Sequence, residues 1–205
     1  GMLATRISYI NDLAVVAEKL GIDIEHVRQG MAADSRIGSS YLYPGAGFGG
    51  ENFSHDILTL ANTVSGTGAK SQLLAQVWEI NEQQKELLFR KLWNYYHGDL
   101  KGKTVAIWGA SFKENTVRIQ QSPIHIMLKA LWAQGVTVKL HDPQALAEIE
   151  KVYGHREDLI YCPEQYEAVN GAHALCLLTA WKQYWSPDYP TLLKIMQHPL
   201  ILDGR

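Results

Sequence analysis

Two basic residues in the second half of the chain lie where an anion could bind. Lys113 follows the strand-like segment at residues 104–108, and Arg205 follows another at residues 200–203. Ligands of parallel sheets bind beyond the carboxyl ends of the strands, so both cations are expected at that edge. Lysine meets a phosphate as a point charge, and arginine as a bidentate fork. Each could instead be a solvated surface cation, but the convergence of two favours an anion site.

A glycine-rich segment at residues 36–52 provides the second set of candidates. It holds five glycines, one proline and three aromatic residues, which predicts a long loop. Glycines let main chain approach a ligand, and Tyr41, Tyr43 and Phe48 could pack a sugar or a base. The alternative is a packed surface loop. Asp56 is expected in the first turn of the next helix, where the dipole stabilises its charge and makes it a poorer base.

Other kinds of site find no support in the sequence. The turn after residues 104–108 reads GASFKENT and lacks the GxGxxG spacing of a dinucleotide site. Cys162 and Cys176 have apolar neighbours and no CxxC spacing, which predicts buried reduced thiols rather than a disulfide or a zinc site. The eight histidines form no HExxH or HxxxH pattern, so no metal is expected.

The overall charge gives no indication of a polyanionic partner. Lys plus Arg (19) nearly balance Asp plus Glu (21), a formal charge of -2, so neither nucleic acid nor an anionic membrane is expected as a partner. No apolar run approaches the roughly 20 residues that span a bilayer. We therefore expect a cytoplasmic protein.

Helical periodicity dominates the first half of the chain. An apolar stripe over residues 3–17 predicts a helix that Gly21 ends, and Asp23 is a candidate N-cap for a second helix. Ser54 is expected to cap a third. Residues 69–96 contain neither Gly nor Pro and are predicted to form one long helix.

Past Lys103, short apolar runs alternate with helical segments. The runs are Thr104–Trp108, Val136–Asp142, Leu159–Cys162, Ala174–Thr179 and Leu200–Asp203. This alternation is typical of a doubly wound parallel sheet with right-handed crossovers. The predicted fold class is therefore α plus α/β, with a helical domain at residues 2–98 and a Rossmann-like domain at residues 99–205.

Seven segments, in order along nearly the whole chain, resemble the UDP-glucose/GDP-mannose dehydrogenase family. They are LATRISYIN (3–11), DSRIG (34–38), YPGAGFGGENFSHD (43–56), FKENT (112–116), HDP (141–143), TAWKQYWSPD (179–188) and DGR (203–205). The resemblance implies a central dimerisation domain followed by a nucleotide-sugar-binding domain. In that family, two NAD oxidise a sugar C6 alcohol to a carboxylate, and a cysteine nucleophile forms the covalent thiohemiacetal and thioester on the way.

The resemblance also implies roles for individual residues. Arg36 resembles an arginine that reaches the partner subunit's nucleotide sugar, and Asp56 an acid that assists hydrolysis of the thioester. The remaining matches fall at the nucleotide-sugar site itself: Tyr43, Gly47, Phe48 and Gly49 in the loop that wraps the sugar, Phe112 and Lys113 in the FKENT segment, and Arg205 near the chain's end.

Three departures from the family pattern set the expected function. Asn52 stands in the nucleophile position, and an amide nitrogen cannot form the covalent adduct. Gln120 stands where the family has an arginine that reaches toward the cofactor, and the family's GxGxxG domain is not in this sequence. We expect a homodimeric nucleotide-sugar binder, inactive alone and without a cofactor on this chain. The alternatives are one part of a split or shortened dehydrogenase, limited to alcohol-to-aldehyde oxidation, and a remnant that only dimerises.

Overall fold

The first part of the fold is helical. A computed structural model describes residues 1–69 and 71–205, and within them five helices precede the first strand. Their bounds are Met2–Leu20 (α1), Ile24–Ala32 (α2), Glu51–Gly66 (α3), Gln72–Lys85 (α4) and Leu87–Tyr95 (α5). No described helix is both long and apolar enough to cross a membrane.

The predicted C-terminus of α1 and the predicted N-terminus of α2 are confirmed. Gly21 adopts a left-handed conformation with φ 67°, and its N–H donates to the last turn of α1. The Asp23 carboxylate accepts a hydrogen bond from the Glu25 N–H at 2.9 Å, so Asp23 is the N-cap of α2. Most of the apolar stripe of α1 is covered inside the protein, since Ile10 and Ala17 are buried and Ile7 packs against a small core that includes Ile57 and Val77.

The prediction of one helix over residues 69–96 is wrong within its described part; residue 70 lies outside the described residues. The chain forms α4 and α5, separated at Glu86. The Arg90 guanidinium donates to the Gln83 carbonyl at 2.8 Å, and the Glu86 N–H also points to that carbonyl, at 3.2 Å. A side chain that occupies a helix carbonyl interrupts the regular hydrogen-bond ladder, which explains the break.

The predicted loop at residues 36–52 extends past the observed end of the loop, because α3 already begins at Glu51. Gly50, at φ 87°, precedes the first residue of α3, so Asn52 lies in the first turn of that helix and Ser54 is not its cap. Asp56 is the sixth residue of α3 and exposed, so it lies beyond the first turn where it was predicted. Glycine accounts for the early start because only glycine adopts this backbone conformation without strain.

The second part of the fold is the predicted doubly wound sheet. Its elements are Thr104–Trp108 (β1), Ile124–Ala133 (α6), Thr137–His141 (β2), Leu146–Tyr153 (α7), Leu159–Tyr161 (β3), Gln165–Val169 (α8), Ala174–Leu177 (β4), Tyr189–Ile195 (α9) and Ile201–Asp203 (β5). All pairings are parallel, in the order β3-β2-β1-β4-β5. The boundary between residues 98 and 99 falls between α5 and β1 and stays a prediction.

Alternate residues of β1 build two separate cores. Val105 and Ile107 pack with α5, α6 and α7, whereas Ala106 and Trp108 pack with α8 and α9 on the opposite face. The strand order reverses between β1 and β4, so their carboxyl ends border the crevice where this class of sheet binds ligands.

Candidate functional site

A pocket of about 420 Å³ lies where the helical part meets the carboxyl edge of the sheet. It is lined by residues of α1, the glycine-rich loop, the start of α3, the turn after β1 and the end of the chain. These are Ile7, Asn11, Tyr41, Tyr43, Gly45, Gly47, Phe48, Gly49, Gly50, Glu51, Asn52, Phe53, Phe112, Lys113, Glu114, Arg118 and Arg205. The volume falls in the range of small-molecule sites.

Buried amide side chains from α1 and α4 hold the glycine-rich loop. Asn11 Oδ1 accepts from the Gly45 N–H at 2.8 Å, and Gln84 Nε2 donates to the Gly45 carbonyl at 2.7 Å. Asn81 contacts Phe48 twice, accepting from its N–H at 2.7 Å and donating to its carbonyl at 3.0 Å. The helices thus satisfy main-chain groups that a loop without regular pairing would leave open.

The same loop lies against the turn after β1 with no room for side chains. A Cβ on Gly49 would come within 2.6 Å of the Gln121 carbonyl oxygen, and one on Gly45 within 2.7 Å of Arg205 Nη1. The Gly50 N–H donates to the Gln120 carbonyl at 2.8 Å. Glycine at these positions lets the loop complete one wall of the pocket.

Asp142, at the end of β2, fixes the turn after β1. Its Oδ2 accepts from the N–H groups of Ala110 and Ser111 at 2.7 and 3.1 Å, and from Trp181 Nε1 at 3.2 Å. Its Oδ1 accepts from the N–H groups of two residues at the start of the next segment. The HDP segment therefore has a structural role, because the buried Asp142 carboxylate orients the backbone that carries the pocket's basic residues.

This arrangement does not fit the pyrophosphate of a dinucleotide cofactor at the turn after β1. Such sites need free main-chain N–H groups and close backbone approach. Here Asp142 already binds the N–H groups of Ala110 and Ser111, and the Gly109 N–H donates to the His141 carbonyl at 2.8 Å. Thr179 fills the space above Gly109, since a Cβ there would lie 2.4 Å from its hydroxyl.

The FKENT turn carries charged side chains into the pocket. The Phe112 N–H donates to the Arg118 carbonyl at 3.0 Å, which closes the turn. Lys113, Glu114 and Arg118 all line the cavity from this turn and are exposed. Lys113 Nζ lies 5.6 Å from the centre of the Phe112 ring. The turn therefore brings two cations and one carboxylate to the same wall.

Arg205 is exposed as a residue, but its guanidinium lies in the pocket wall, against Gly45. Its Nε donates to the Leu178 carbonyl at 2.8 Å. Burial of the guanidinium lowers the pKa of Arg205, although the charges of Glu114 and Asp203 oppose this effect. Among the described residues it belongs to no ion pair. A cation that is held in a pocket wall without a paired carboxylate is suited to an anionic ligand.

Most sequence-predicted site residues meet in this pocket, and three do not line it. Tyr43, Gly47, Phe48, Gly49, Asn52, Phe112, Lys113 and Arg205 line it. Arg36 is exposed and pairs with Asp34 at 2.6 Å, which lowers the pKa of the Asp34 carboxyl. Asp56 lies farther along α3, and Gln120 contributes its carbonyl to Gly50 rather than a lining side chain.

Several residues that build the pocket were not predicted from the sequence. Asn11 and Asn81 hold the loop, and Glu51, Glu114 and Arg118 line the cavity. Asn11 could have been predicted, because it follows Ile7 by four residues, which places its amide on the covered face of α1. Arg118 could not have been predicted, since an exposed arginine in a turn belongs to no spacing pattern.

The chain's thiols lie outside the pocket. Cys162 and Cys176 are buried and unpaired with one another. Burial raises the pKa of Cys162, and it raises the pKa of Cys176 to about 12. Neither lines the cavity, so neither offers a thiolate to a ligand bound there. Within residues 1–69 and 71–205, no group of three or more His, Cys, Asp or Glu side chains could hold a metal ion.

Comparison with family models divides the chain into two matches. Residues 1–83 match the model described as "UDP-glucose/GDP-mannose dehydrogenase family, central domain". Residues 106–205 match the same family's "UDP binding domain". The pocket lining draws on both matched regions.

Individual relatives give the same result. A UDP-glucose 6-dehydrogenase from Pseudomonas aeruginosa is 40% identical, over 99% of this chain and 46% of that protein. The UDP-glucose 6-dehydrogenase TuaD from Bacillus subtilis is 34% identical, over 99% and 43% respectively. The structure of a UDP-glucose dehydrogenase from Pyrobaculum islandicum matches with a TM-score of 0.90 at 28% identity, over 100% of this chain and 45% of that one. The chain thus spans less than half the length of these relatives.

Proposed function

The chain belongs to the UDP-glucose/GDP-mannose dehydrogenase family, and from this membership we propose that its pocket binds a nucleotide sugar of the UDP-hexose class without oxidising it unaided. The family's UDP-binding domain matches residues 106–205, which include Lys113, Arg118 and Arg205.

The guanidinium of Arg205 is the observation that carries the proposal, because it is held at the pocket wall by the Leu178 carbonyl and forms no ion pair among the described residues. A guanidinium fixed in this way is suited to bind a phosphate. Lys113 and Arg118 line the same cavity as Arg205, and the carboxylates of Glu51 and Glu114 line it as well. The lining therefore has one more positive than negative side chain, which suits a diphosphate.

The glycine-rich loop offers the surface for the sugar or base. Phe48 and Phe53 pack edge to face with ring centres 5.8 Å apart, and Tyr41 lies 6.1 Å from Phe53. Tyr43 is held by Arg28, whose guanidinium lies 4.2 Å from the ring centre. Apolar faces beside main-chain polar groups are typical of carbohydrate and nucleoside recognition.

The proposed inactivity depends on position 52. Oxidation to the acid in this family passes through a covalent thiol adduct, and the Asn52 amide cannot act as that nucleophile. The thiols of Cys162 and Cys176 lie outside the cavity. The chain's own residues are proposed to bind and orient the nucleotide sugar, and no hydride-transfer step is assigned to them.

We also propose that the protein dimerises through an apolar face of α1. Met2, Tyr9, Val16 and Leu20 are exposed by 74, 52, 49 and 67% and recur on one face at spacings of seven, seven and four. Arg36 is exposed as well. A residue that contacts a ligand of the partner subunit has to be exposed in the single chain. Light scattering should give twice the monomer mass for the natural sequence and a monomer for Val16→Glu. Val152→Glu, at an exposed valine of α7, should leave the mass unchanged.

Isothermal titration with UDP and UDP-glucose tests the binding proposal. We expect both to bind, and Lys113→Gln to weaken each by about 10-fold, the effect of losing one charge-assisted contact. Lys151→Gln, an exposed lysine on α7, is the matched control and should bind like the natural sequence. The absence of binding heat with both UDP and UDP-glucose would refute the proposal. NADH formation from UDP-glucose by the purified chain alone would refute its second half.

A second candidate function is favoured by the 46% coverage of the Pseudomonas aeruginosa relative. In that case the chain acts as one part of a dehydrogenase, and Asn52 restricts it to alcohol-to-aldehyde oxidation. Mixing the chain with the separately expressed remaining half of that relative should then generate NADH from UDP-glucose. No NADH from the mixture would leave the binding function as the better account.

A further inference from the structure

We propose that His125 is a positioning residue of the pocket: the neutral imidazole holds residues 118–121 against the glycine-rich loop, and binding of the nucleotide sugar weakens when His125 gains a proton. This inference rests on the proposed function, because it concerns the affinity for the same ligand. It assigns a pH-dependent affinity to a side chain that does not itself line the cavity.

Residues 118–121 are the part of the turn after β1 that contacts the glycine-rich loop. The Gln120 carbonyl accepts from the Gly50 N–H at 2.8 Å, and a Cβ on Gly49 would lie 2.6 Å from the Gln121 carbonyl oxygen. The Arg118 side chain lines the cavity from the same segment. A displacement of this segment would therefore move one cation of the pocket and separate its two walls.

The backbone of the segment needs contacts from outside to keep its conformation. Gln121 has φ 57°, in the left-handed region that a residue with a side chain rarely adopts. Residues 116–119 belong to no helix or strand. A disfavoured backbone conformation persists only where the surrounding structure holds it in place. The groups that bind the main chain next to Gln121 thus determine whether this wall stays in position.

His125, in the first turn of α6, supplies such a contact. Its Nε2 lies 2.8 Å from the Ile119 carbonyl oxygen, and its Nδ1 lies 2.6 Å from the Tyr153 hydroxyl of α7. Because a carbonyl can only accept, Nε2 carries the proton, and Nδ1 of the neutral ring accepts from the tyrosine. The imidazole thus connects α7 to the main chain that contacts the glycine-rich loop.

A second proton would disturb both sides of this connection. Nδ1 would become a donor, so the Tyr153 hydroxyl would have to turn its own proton away and accept instead. His125 is only half-buried, so the charged ring can move toward water. We expect this movement to release the Ile119 carbonyl and to loosen residues 118–121.

The surroundings of His125 favour its neutral form. Burial lowers the pKa of His125, and the charges of Lys129 on α6 and Lys85 on α4 lower it further, although its hydrogen bond to the Ile119 carbonyl opposes them. Lys85 is paired with Glu82, which leaves Lys129 as the stronger unscreened charge. The N-terminal end of a helix also disfavours a cation. The neutral ring is therefore the form present when the pocket is intact at neutral pH.

Titration calorimetry of the full chain with UDP-glucose, from about pH 7.5 to about pH 5.5, tests the inference across the range where histidine titrates. UDP-glucose is the probe because its diphosphate is bonded at both ends and keeps its charge, whereas a terminal phosphate titrates near about pH 6. Circular dichroism at each pH verifies that the chain is folded. We expect constant affinity above about pH 7 and a loss of about 5-fold at about pH 5.5, the effect of one hydrogen bond.

Two results of this titration would overturn the inference. An affinity for UDP-glucose that does not change with pH would refute the role of His125 and leave the proposed function standing. Failure of UDP-glucose to bind at any pH would refute both.

Substitutions separate positioning from a general loss of stability. His125→Gln keeps an N–H donor for the Ile119 carbonyl but cannot gain a proton, so it should bind within about 2-fold of the natural sequence at about pH 7.5 and show no pH dependence. His125→Leu removes the donor and should bind about 5-fold more weakly at every pH. His26→Gln, at an exposed position of α2, is the matched control and should keep the full pH dependence. A pH dependence that persists in His125→Gln would place the proton elsewhere and refute the inference.

The reciprocal measurement is made on the imidazole itself. A ligand that prefers neutral His125 must lower the pKa of His125, by the same free energy by which the proton weakens the ligand. Proton NMR of the histidine rings, with the His125 signal identified by its loss in His125→Gln, should show a lower pKa for His125 in the UDP-glucose complex than in the free chain. An unchanged or raised pKa in the complex would show that His125 stabilises the fold without positioning the pocket.

Discussion

Asn81 holds both polar main-chain groups of Phe48. Its Oδ1 accepts from the Phe48 N–H at 2.7 Å, and its Nδ2 donates to the Phe48 carbonyl at 3.0 Å. Asn81 is fully buried in α4, and Phe48 lies in the loop that forms the pocket wall. One helical side chain thus does for the loop what a neighbouring strand does for a sheet.

Replacing Asn81 by alanine is therefore expected to destabilise the protein by about 2 to 4 kcal/mol, because two buried main-chain groups lose their partners. Urea unfolding measures this loss. Asn94→Ala, at an exposed asparagine of α5, is the matched control and should change stability by less than about 0.5 kcal/mol. Equal effects of the two substitutions would show that the Asn81 contacts contribute nothing specific.

The fold was predictable where local pattern and tertiary structure agree. The five strands of the sheet were predicted because each is a short apolar run between helical segments, and β1 was placed to the residue. The ends of α1 and α2 followed from Gly21 and Asp23. The two helix-covered faces follow from the alternation itself, whereas the strand order is known only from the structure.

What could not be predicted depends on distant contacts. The break at Glu86 comes from the Arg90 side chain, which reaches the Gln83 carbonyl only in the folded helix pair. The early start of α3 depends on Gly50, whose N–H is held by the Gln120 carbonyl 70 residues later. Arg118 reaches the pocket because the FKENT turn closes on itself. No periodicity in the sequence encodes such contacts.

Asp142→Asn should loosen the turn after β1. The Asp142 carboxylate accepts from four main-chain N–H groups and from Trp181, and an amide would turn an N–H toward some of these donors. The expected loss is about 2 to 4 kcal/mol in urea unfolding, together with weaker UDP binding. Asp99→Asn, at an exposed aspartate, provides the comparison; the prediction fails where both variants unfold at the same urea concentration.

Stability should fall between about pH 7 and pH 5 because of the half-buried His125 and the buried His141. Burial lowers the pKa of His125, whose Nε2 donates to the Ile119 carbonyl at 2.8 Å, and also lowers the pKa of His141. In the unfolded chain a histidine titrates near 6.5, so below that pH the unfolded state binds more protons than the folded state. The stability contributed by neutral histidine is complete above the unfolded pKa and is lost as the pH falls toward the folded pKa.

Urea midpoints measured at several pH values test this. His125→Gln should have a shallower pH dependence than the natural sequence over that range, whereas His26→Gln, at an exposed position of α2, should keep the original slope. A slope unaffected by His125→Gln would assign the pH dependence to other groups.

Alanine at two glycines should have opposite effects. In Gly49→Ala the new Cβ would lie 2.6 Å from the Gln121 carbonyl oxygen and 2.9 Å from Phe112 Cβ, so the loop must move away from the turn after β1. We expect a loss of about 1 to 3 kcal/mol and weaker UDP binding, because the pocket wall separates. Gly30 lies inside α2 with open space around it, so Gly30→Ala should stabilise by about 0.5 to 1 kcal/mol and leave UDP binding unchanged. Unaltered stability and UDP affinity in Gly49→Ala would mean that the close approach of loop and turn does not shape the pocket.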